Sequence, residues 1–287
     1  MRQILRPLAA VLVAAVAALA PEALMADATA LDRPAIAARL FHARPEPDPA
    51  RAGRDRFAAA PDGTRLHVRE HISDASFPTL LLFHGNGEIA SDYDDLAPLL
   101  AGLSLNLVVA EFRGYGLSEG EPTASKLASD ADMAFGFVLA RLKEDGASPR
   151  LIVMGRSLGS ACALALAASH PGEVDGLVVE SGFAGTLALL RVLGLDARAY
   201  GLTEADGFGN LEHVRGYAGP TLFIHGARDD LIAPAEAKAL FAVSPAAEKT
   251  LLLIPGAGHN DLFFVGRERY LDALARLAAQ AAGAGKN

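Results

Sequence analysis

Short, uninterrupted apolar runs recur along the chain at 79–83, 105–110, 151–154, 177–179, 221–224 and 250–254. Runs of this length without polar alternation suit strands covered on both faces, as in a parallel sheet. Between them, the segments 92–101, 124–142, 158–169, 235–243 and 270–281 carry apolar residues at helical spacing or are rich in alanine and leucine, which predicts helices. Ahead of the first run, 55–60 and 65–72 flank Pro61-Asp62-Gly63-Thr64. An Asp-Gly between two short extended segments predicts a hairpin, so the sheet should start antiparallel. Strand and helix then alternate to the end. The pattern predicts an α/β fold: a doubly wound, mostly parallel sheet opened by an antiparallel hairpin, with ligands at the carboxyl ends of the strands. Chemistry is therefore sought just after each apolar run.

Composition sets the frame around that sheet. A chain of 287 residues, 51% of them hydrophobic, can bury one large core, and no stretch rich in proline, glycine or serine divides it. Arg2 and Arg6 precede an apolar stretch over 8–20, and Ala26-Asp27-Ala28 offers a small-residue cleavage site, so residues 1–28 read as a secretory signal peptide. That stretch is short for a membrane span, and no stable span is expected. Met25 offers the alternative of a later start. Export to the periplasm or medium follows from the first reading, a cytoplasmic location from the second. Pro45, Pro47 and Pro49, with Asp48 and Arg51, predict an extended leader over 29–53 ahead of one folded domain over 54–287. A net charge of −8 without lysine or arginine clusters argues against a nucleic-acid partner. The single cysteine, Cys162, leaves no internal disulfide, cysteine-rich zinc site or iron–sulfur cluster, and reads as a small buried residue. The sequence carries no signal for oligomeric state.

The most informative chemistry follows the run at 151–154: Gly155-Arg156-Ser157-Leu158-Gly159, opening the small-residue run Ser160-Ala161-Cys162-Ala163-Leu164-Ala165. A serine between two glycines at a strand-to-helix junction has the form of a nucleophile elbow, a strained turn that lifts the hydroxyl above the sheet. The pattern alone arises by chance in roughly one chain of this length in ten. It gains weight only if the other strand ends supply an oxyanion hole, an acid and a base. After the first parallel strand, His84-Gly85-Asn86-Gly87 forms a glycine-rich turn. Its Asn86 backbone N–H, with that of Leu158, would bind an oxyanion; an ordinary tight turn with His84 packed in the core is the bland alternative. After the run at 221–224 stand Asp229 and Asp230, one as the acid that orients the base and the other as a solvated loop aspartate. Asp229 is preferred, Asp230 is held in reserve and Glu180 is a third candidate. Of the eight histidines, His259 fits the base best, because it follows the last strand in Pro255-Gly256-Ala257-Gly258-His259.

The chain order Ser157, Asp229, His259 completes a resemblance. Over roughly 54–282, the His84-Gly85-Asn86-Gly87 turn, the Gly155–Gly159 elbow, the Asp229 loop, Gly258-His259 and the turn Phe112-Arg113-Gly114-Tyr115-Gly116-Leu117-Ser118 resemble the alpha/beta-hydrolase superfamily. Their spacing is most similar to the small hydrolases grouped with serine aminopeptidases and dienelactone hydrolases. Two departures stand out: the glycine turn lacks the triple glycine of the hormone-sensitive-lipase branch, and Glu111 stands where many relatives have aspartate. The resemblance implies a small cap at most, no metal or organic cofactor, and a small-molecule ester or acyl substrate. It also implies hydrolysis through an acyl-enzyme, with Ser157 as nucleophile, His259 as base and Asp229 as its orienting acid. A peptidase or thioesterase using the same triad is the near alternative; a noncatalytic binding protein of the same fold is the distant one. The 113–118 turn is expected to be structural. The leucines of 186–195 would line an acyl pocket or form a plain crossover helix. Arg156 would pair with Asp130 or Glu180, or bind a substrate carboxylate.

Overall fold

The computed structural model describes residues 28–47 and 53–283. Eight strands make one sheet: β1 (Arg54–Ala59), β2 (Arg65–His71), β3 (Thr79–Phe83), β4 (Asn106–Ala110), β5 (Leu151–Arg156), β6 (Gly176–Glu180), β7 (Thr221–Gly226) and β8 (Lys249–Ile254). Their order is β1-β2-β4-β3-β5-β6-β7-β8, antiparallel for β1·β2 and β2·β4 and parallel from there on. The order steps outward in both directions from β3 and β5, and this reversal opens a crevice at the carboxyl ends of those two strands. The opening hairpin forms as Asp62-Gly63 predicts: Gly63 takes φ +85, and the Asp62 carboxylate accepts the Thr64 amide at 3.1 Å.

Every residue of β3, β4, β6 and β7 is buried, which is why these strands read as continuous apolar runs. Their side chains alternate between two cores. Leu81, Phe83, Val153, Val179 and Phe223 face the layer holding α3 (Ala124–Glu144), α4 (Gly159–Ser169), α5 (Thr186–Val192), α6 (Asn210–Arg215) and α7 (Pro234–Val243). Leu80, Leu82, Ile152, Met154 and Val178 face α2 (Ala97–Ala101) and α8 (Leu262–Gly283). Of the eleven residues of α4, the nine from Gly159 to Ala167 are buried, so this helix is apolar on all sides and sits inside the fold. Leu189 and Leu190 of α5 are buried in the same core, the behaviour of a crossover helix. The 113–118 turn is structural. Arg113 grips Asp130 with two bonds and also binds Asp62 and Thr64. A Cβ at Gly116 would lie 2.1 Å from the Glu111 carboxylate.

The N-terminal part differs from expectation. The stretch over 29–53 was expected to be an extended leader, yet a 3-10 turn at Ala28–Asp32 and helix α1 (Pro34–Leu40) occupy its first half. Leu31, Ile36 and Leu40 are buried in the main core. Pro34 opens α1 at a position where its missing N–H costs nothing, and the prolines from Pro45 onward follow the helix instead of preventing it. The chain then pairs with the 113–118 turn through Arg44 O to Gly116 N and Gly116 O to Glu46 N. The folded body thus includes residues 28–47. The signal-peptide reading of 1–28 falls, apart from Ala28, outside the described residues.

Candidate active site

Residue 157 joins β5 to α4 with φ +52, a left-handed conformation unusual for serine. Close packing enforces this turn. A Cβ at Gly155 would lie 2.2 Å from Gly159 O, and a Cβ at Gly159 would lie 2.2 Å from Phe83 O. The turn is held by Ser157 N donating to Glu180 O at 2.8 Å and by the Ser160 hydroxyl donating to Ser157 O at 2.6 Å. Both glycines of the elbow therefore answer to backbone contact.

Ser157 Oγ lies 3.0 Å from His259 Nε2, and His259 Nδ1 lies 2.8 Å from Asp229 Oδ2. Assigning the proton to Nδ1 lets His259 donate to the carboxylate and leaves Nε2 to accept the serine hydroxyl. All three residues are buried. Asp229 sits in a tight turn after β7: its Oδ1 accepts the Leu231 amide at 3.0 Å and the Ile232 amide at 2.8 Å. Burial pushes its carboxyl up, but hydrogen bonds from His225 and His259 and the Ile232 amide outweigh that, holding it well below the usual carboxylate range. The carboxylate therefore stays charged beside His259.

Asp230 is exposed and lies outside this chain of bonds. Glu180 is buried against Arg156 Nε at 3.0 Å and the Tyr270 hydroxyl at 2.6 Å. Arg156 pairs with Glu180, one of its two expected partners; Asp130 is taken by Arg113. Cys162 is buried, and burial pushes its thiol up. Among the described residues no three His, Cys, Asp or Glu side chains gather into a metal-binding set.

Leu158 follows the serine at the start of α4 and Asn86 lies in the turn after β3; neither backbone N–H donates to an acceptor among the described residues. The Asn86 side chain is fixed from the other side. Its Nδ2 donates to Leu40 O at 2.9 Å, and its Oδ1 accepts from His42 N at 2.9 Å and from the Tyr115 hydroxyl at 2.7 Å. The N-terminal segment therefore braces the glycine turn, a role the sequence pattern did not suggest. His84 behaves as the bland reading had it, buried between Gly85 O and the Glu111 carboxylate. His225, a residue the sequence pattern did not single out, has Nε2 3.2 Å from Asp229 Oδ2 and 2.8 Å from Ile232 O. Its position at the end of β7, four residues before Asp229, was the available signal.

A cavity of about 580 Å³ opens beside Asn260, walled by Tyr93, Leu96, Leu99, Phe263 and Tyr270 with Arg156 among its lining groups. Phe264 at its edge is 83% exposed.

Residues 75–193 match the family described as serine aminopeptidase, S33. An uncharacterized protein of Mycobacterium tuberculosis is 32% identical over 237 residues, 82% of each chain. The alpha/beta hydrolase domain-containing protein WAV2 of Arabidopsis thaliana is 28% identical over 233 residues, 75% of each chain. Among solved structures, an esterase of Pyrococcus furiosus superposes with a TM-score of 0.66 at 20% identity, covering 80% of this chain and 92% of that one. A monoglyceride lipase of Saccharomyces cerevisiae superposes with a TM-score of 0.64 at 19% identity, covering 81% and 96%.

Proposed function

Because the chain belongs to the alpha/beta-hydrolase superfamily, we propose that it is a serine hydrolase that cleaves carboxylic esters through an acyl-enzyme. The observation that carries the reading is the hydrogen-bonded line Ser157 Oγ, His259 Nε2, His259 Nδ1, Asp229 Oδ2, at 3.0 and 2.8 Å, beginning at a serine held in the left-handed region. In the reaction so read, Ser157 Oγ attacks the ester carbonyl while His259 Nε2 takes its proton. Asp229 keeps the imidazole in the required tautomer and balances the imidazolium. The backbone N–H groups of Asn86 and Leu158 take up the charge on the carbonyl oxygen. The imidazolium then protonates the departing alkoxide, leaving Ser157 acylated. Water, deprotonated by His259, attacks the acyl group, and a second collapse frees the acid and restores the serine.

Ester chemistry is favoured over the other bonds by the esterase and lipase among the structural relatives. A peptidase reading has one observation of its own, the serine aminopeptidase family match over 75–193. A panel of p-nitrophenyl esters of graded acyl length beside aminoacyl p-nitroanilides separates the two. Ester turnover that disappears in Ser157→Ala supports the proposal; preferential anilide turnover replaces ester by amide, and turnover unchanged in Ser157→Ala refutes the mechanism.

A further inference from the structure

Arg156 precedes the serine, and its guanidinium is engaged on every nitrogen. Nε donates to Glu180 Oε1 at 3.0 Å, Nη1 to Glu88, and Nη2 to the backbone carbonyl of His259 at 2.9 Å and to Asn260 Oδ1 at 3.1 Å. Glu88 in turn accepts the Gly85 amide at 2.6 Å and the Tyr93 hydroxyl. One planar cation thus joins three separate loops: the elbow it belongs to, the turn that carries Asn86, and the loop that carries His259. The fit leaves no slack, since a Cβ at Gly85 would lie 2.6 Å from Arg156 Nη1 and 2.7 Å from Glu88 Oε2.

We infer that Arg156 is a positioning residue, setting the distance between Ser157 Oγ and His259 Nε2 by holding the His259 carbonyl and, through Glu88, the position of the Asn86 turn. This rests on the serine-hydrolase reading. Two carboxylates on one guanidinium would satisfy a purely structural ion pair. The bonds to His259 O and Asn260 go beyond that, and they run to the loop of the base. A lysine cannot copy the arrangement, because a single ammonium lacks the fork that reaches Glu180, Glu88 and the His259 carbonyl together.

The test compares Arg156→Lys and Glu88→Gln with wild type in steady-state hydrolysis of p-nitrophenyl butyrate, fluorophosphonate labelling rate and thermal melting. A misplacement on the ångström scale predicts kcat lower by about 10- to 100-fold for Arg156→Lys, with KM within about threefold and cooperative melting retained. Labelling should slow in parallel. Glu88→Gln, which leaves the His259 and Asn260 bonds in place, should lose about three- to tenfold in kcat. If Arg156→Lys does not melt cooperatively, Glu88→Gln carries the test under the same criterion. A kcat within twofold of wild type in the folded variant overturns the inference and makes Arg156 a structural ion pair. A wild type that neither labels nor hydrolyses the ester sinks the serine-hydrolase reading instead, so the two failures are distinct.

Discussion

The helix formed by residues 34–40 makes the sharpest stability prediction. Ile36 is fully buried and packs with Leu31 and Leu40 into the main core under the sheet. Ile36→Ala removes three carbons, worth about 0.8 kcal/mol each in transfer to water, or roughly 2.4 kcal/mol. The unfilled cavity adds to that, bringing the expected loss to about 3–4 kcal/mol. For a domain of this size each kcal/mol moves the melting temperature by about 2–4 °C, so the midpoint should fall by roughly 6–16 °C. Arg39→Ala, on the exposed outer face of the same helix, is the control and should change stability by less than about 0.5 kcal/mol. Differential scanning calorimetry or urea unfolding followed by circular dichroism reads both. A shift in Ile36→Ala no larger than that of the control would mean that the segment rests on the body without sharing its core, and the docking of residues 28–47 described above would be wrong.

Asp229→Asn should lower kcat by about 10³- to 10⁴-fold, as expected when the acid that fixes the histidine tautomer is lost, whereas Asp230→Asn should stay within a few-fold of wild type; the reverse order would reassign the acid. Gly159→Ala drives a Cβ to 2.2 Å from Phe83 O, and should cost about 3 kcal/mol or more or prevent soluble folding, read by expression and melting. Burial pushes the Glu111 carboxyl up, but His67, His84 and the Ala90 amide outweigh it and bring it to about 2 from an ordinary 4.5. Its stabilisation is therefore full above about 4.5 and lost as the pH falls towards 2. Despite burial, the hydrogen bond and charge of Glu111 raise His84 above its ordinary 6.5, so that contribution is present below 6.5 and is lost at higher pH. Glu111→Gln should thus cost the order of 3 kcal/mol near pH 6, with the deficit shrinking as the pH drops through 4 to 3 in urea titrations; a deficit independent of pH would contradict the ion-pair account.

The parallel strands were legible because burial on both faces leaves uninterrupted apolar runs, and the elbow was legible because backbone contact at 155 and 159 admits only glycine. The choice between Asp229 and Asp230 was not. Neighbouring residues in a loop differ only in direction, and direction is set here by the Leu231 and Ile232 amides that the Asp229 carboxylate accepts. The N-terminal segment was misread for a related reason. Its five buried residues, Ala28, Leu31, Ile36, Leu40 and Phe41, are spread over fourteen positions, too few to show a period, and the following prolines dominated the pattern. Arg156 was seen as half of an ion pair because sequence proximity cannot reveal a carbonyl 103 residues away. Its other acid, Glu88, hides in the turn as an ordinary surface-type residue.

In the proposed mechanism Ser157 is made nucleophilic by His259. Reaction of the intact protein with a fluorophosphonate probe, with the adduct located by peptide mass spectrometry, decides this. One adduct per chain on the peptide containing Ser157, absent in Ser157→Ala and strongly slowed in His259→Ala, is the predicted result. A folded wild type that stays unlabelled, or a Ser157→Ala variant that labels as fast as wild type, would contradict it.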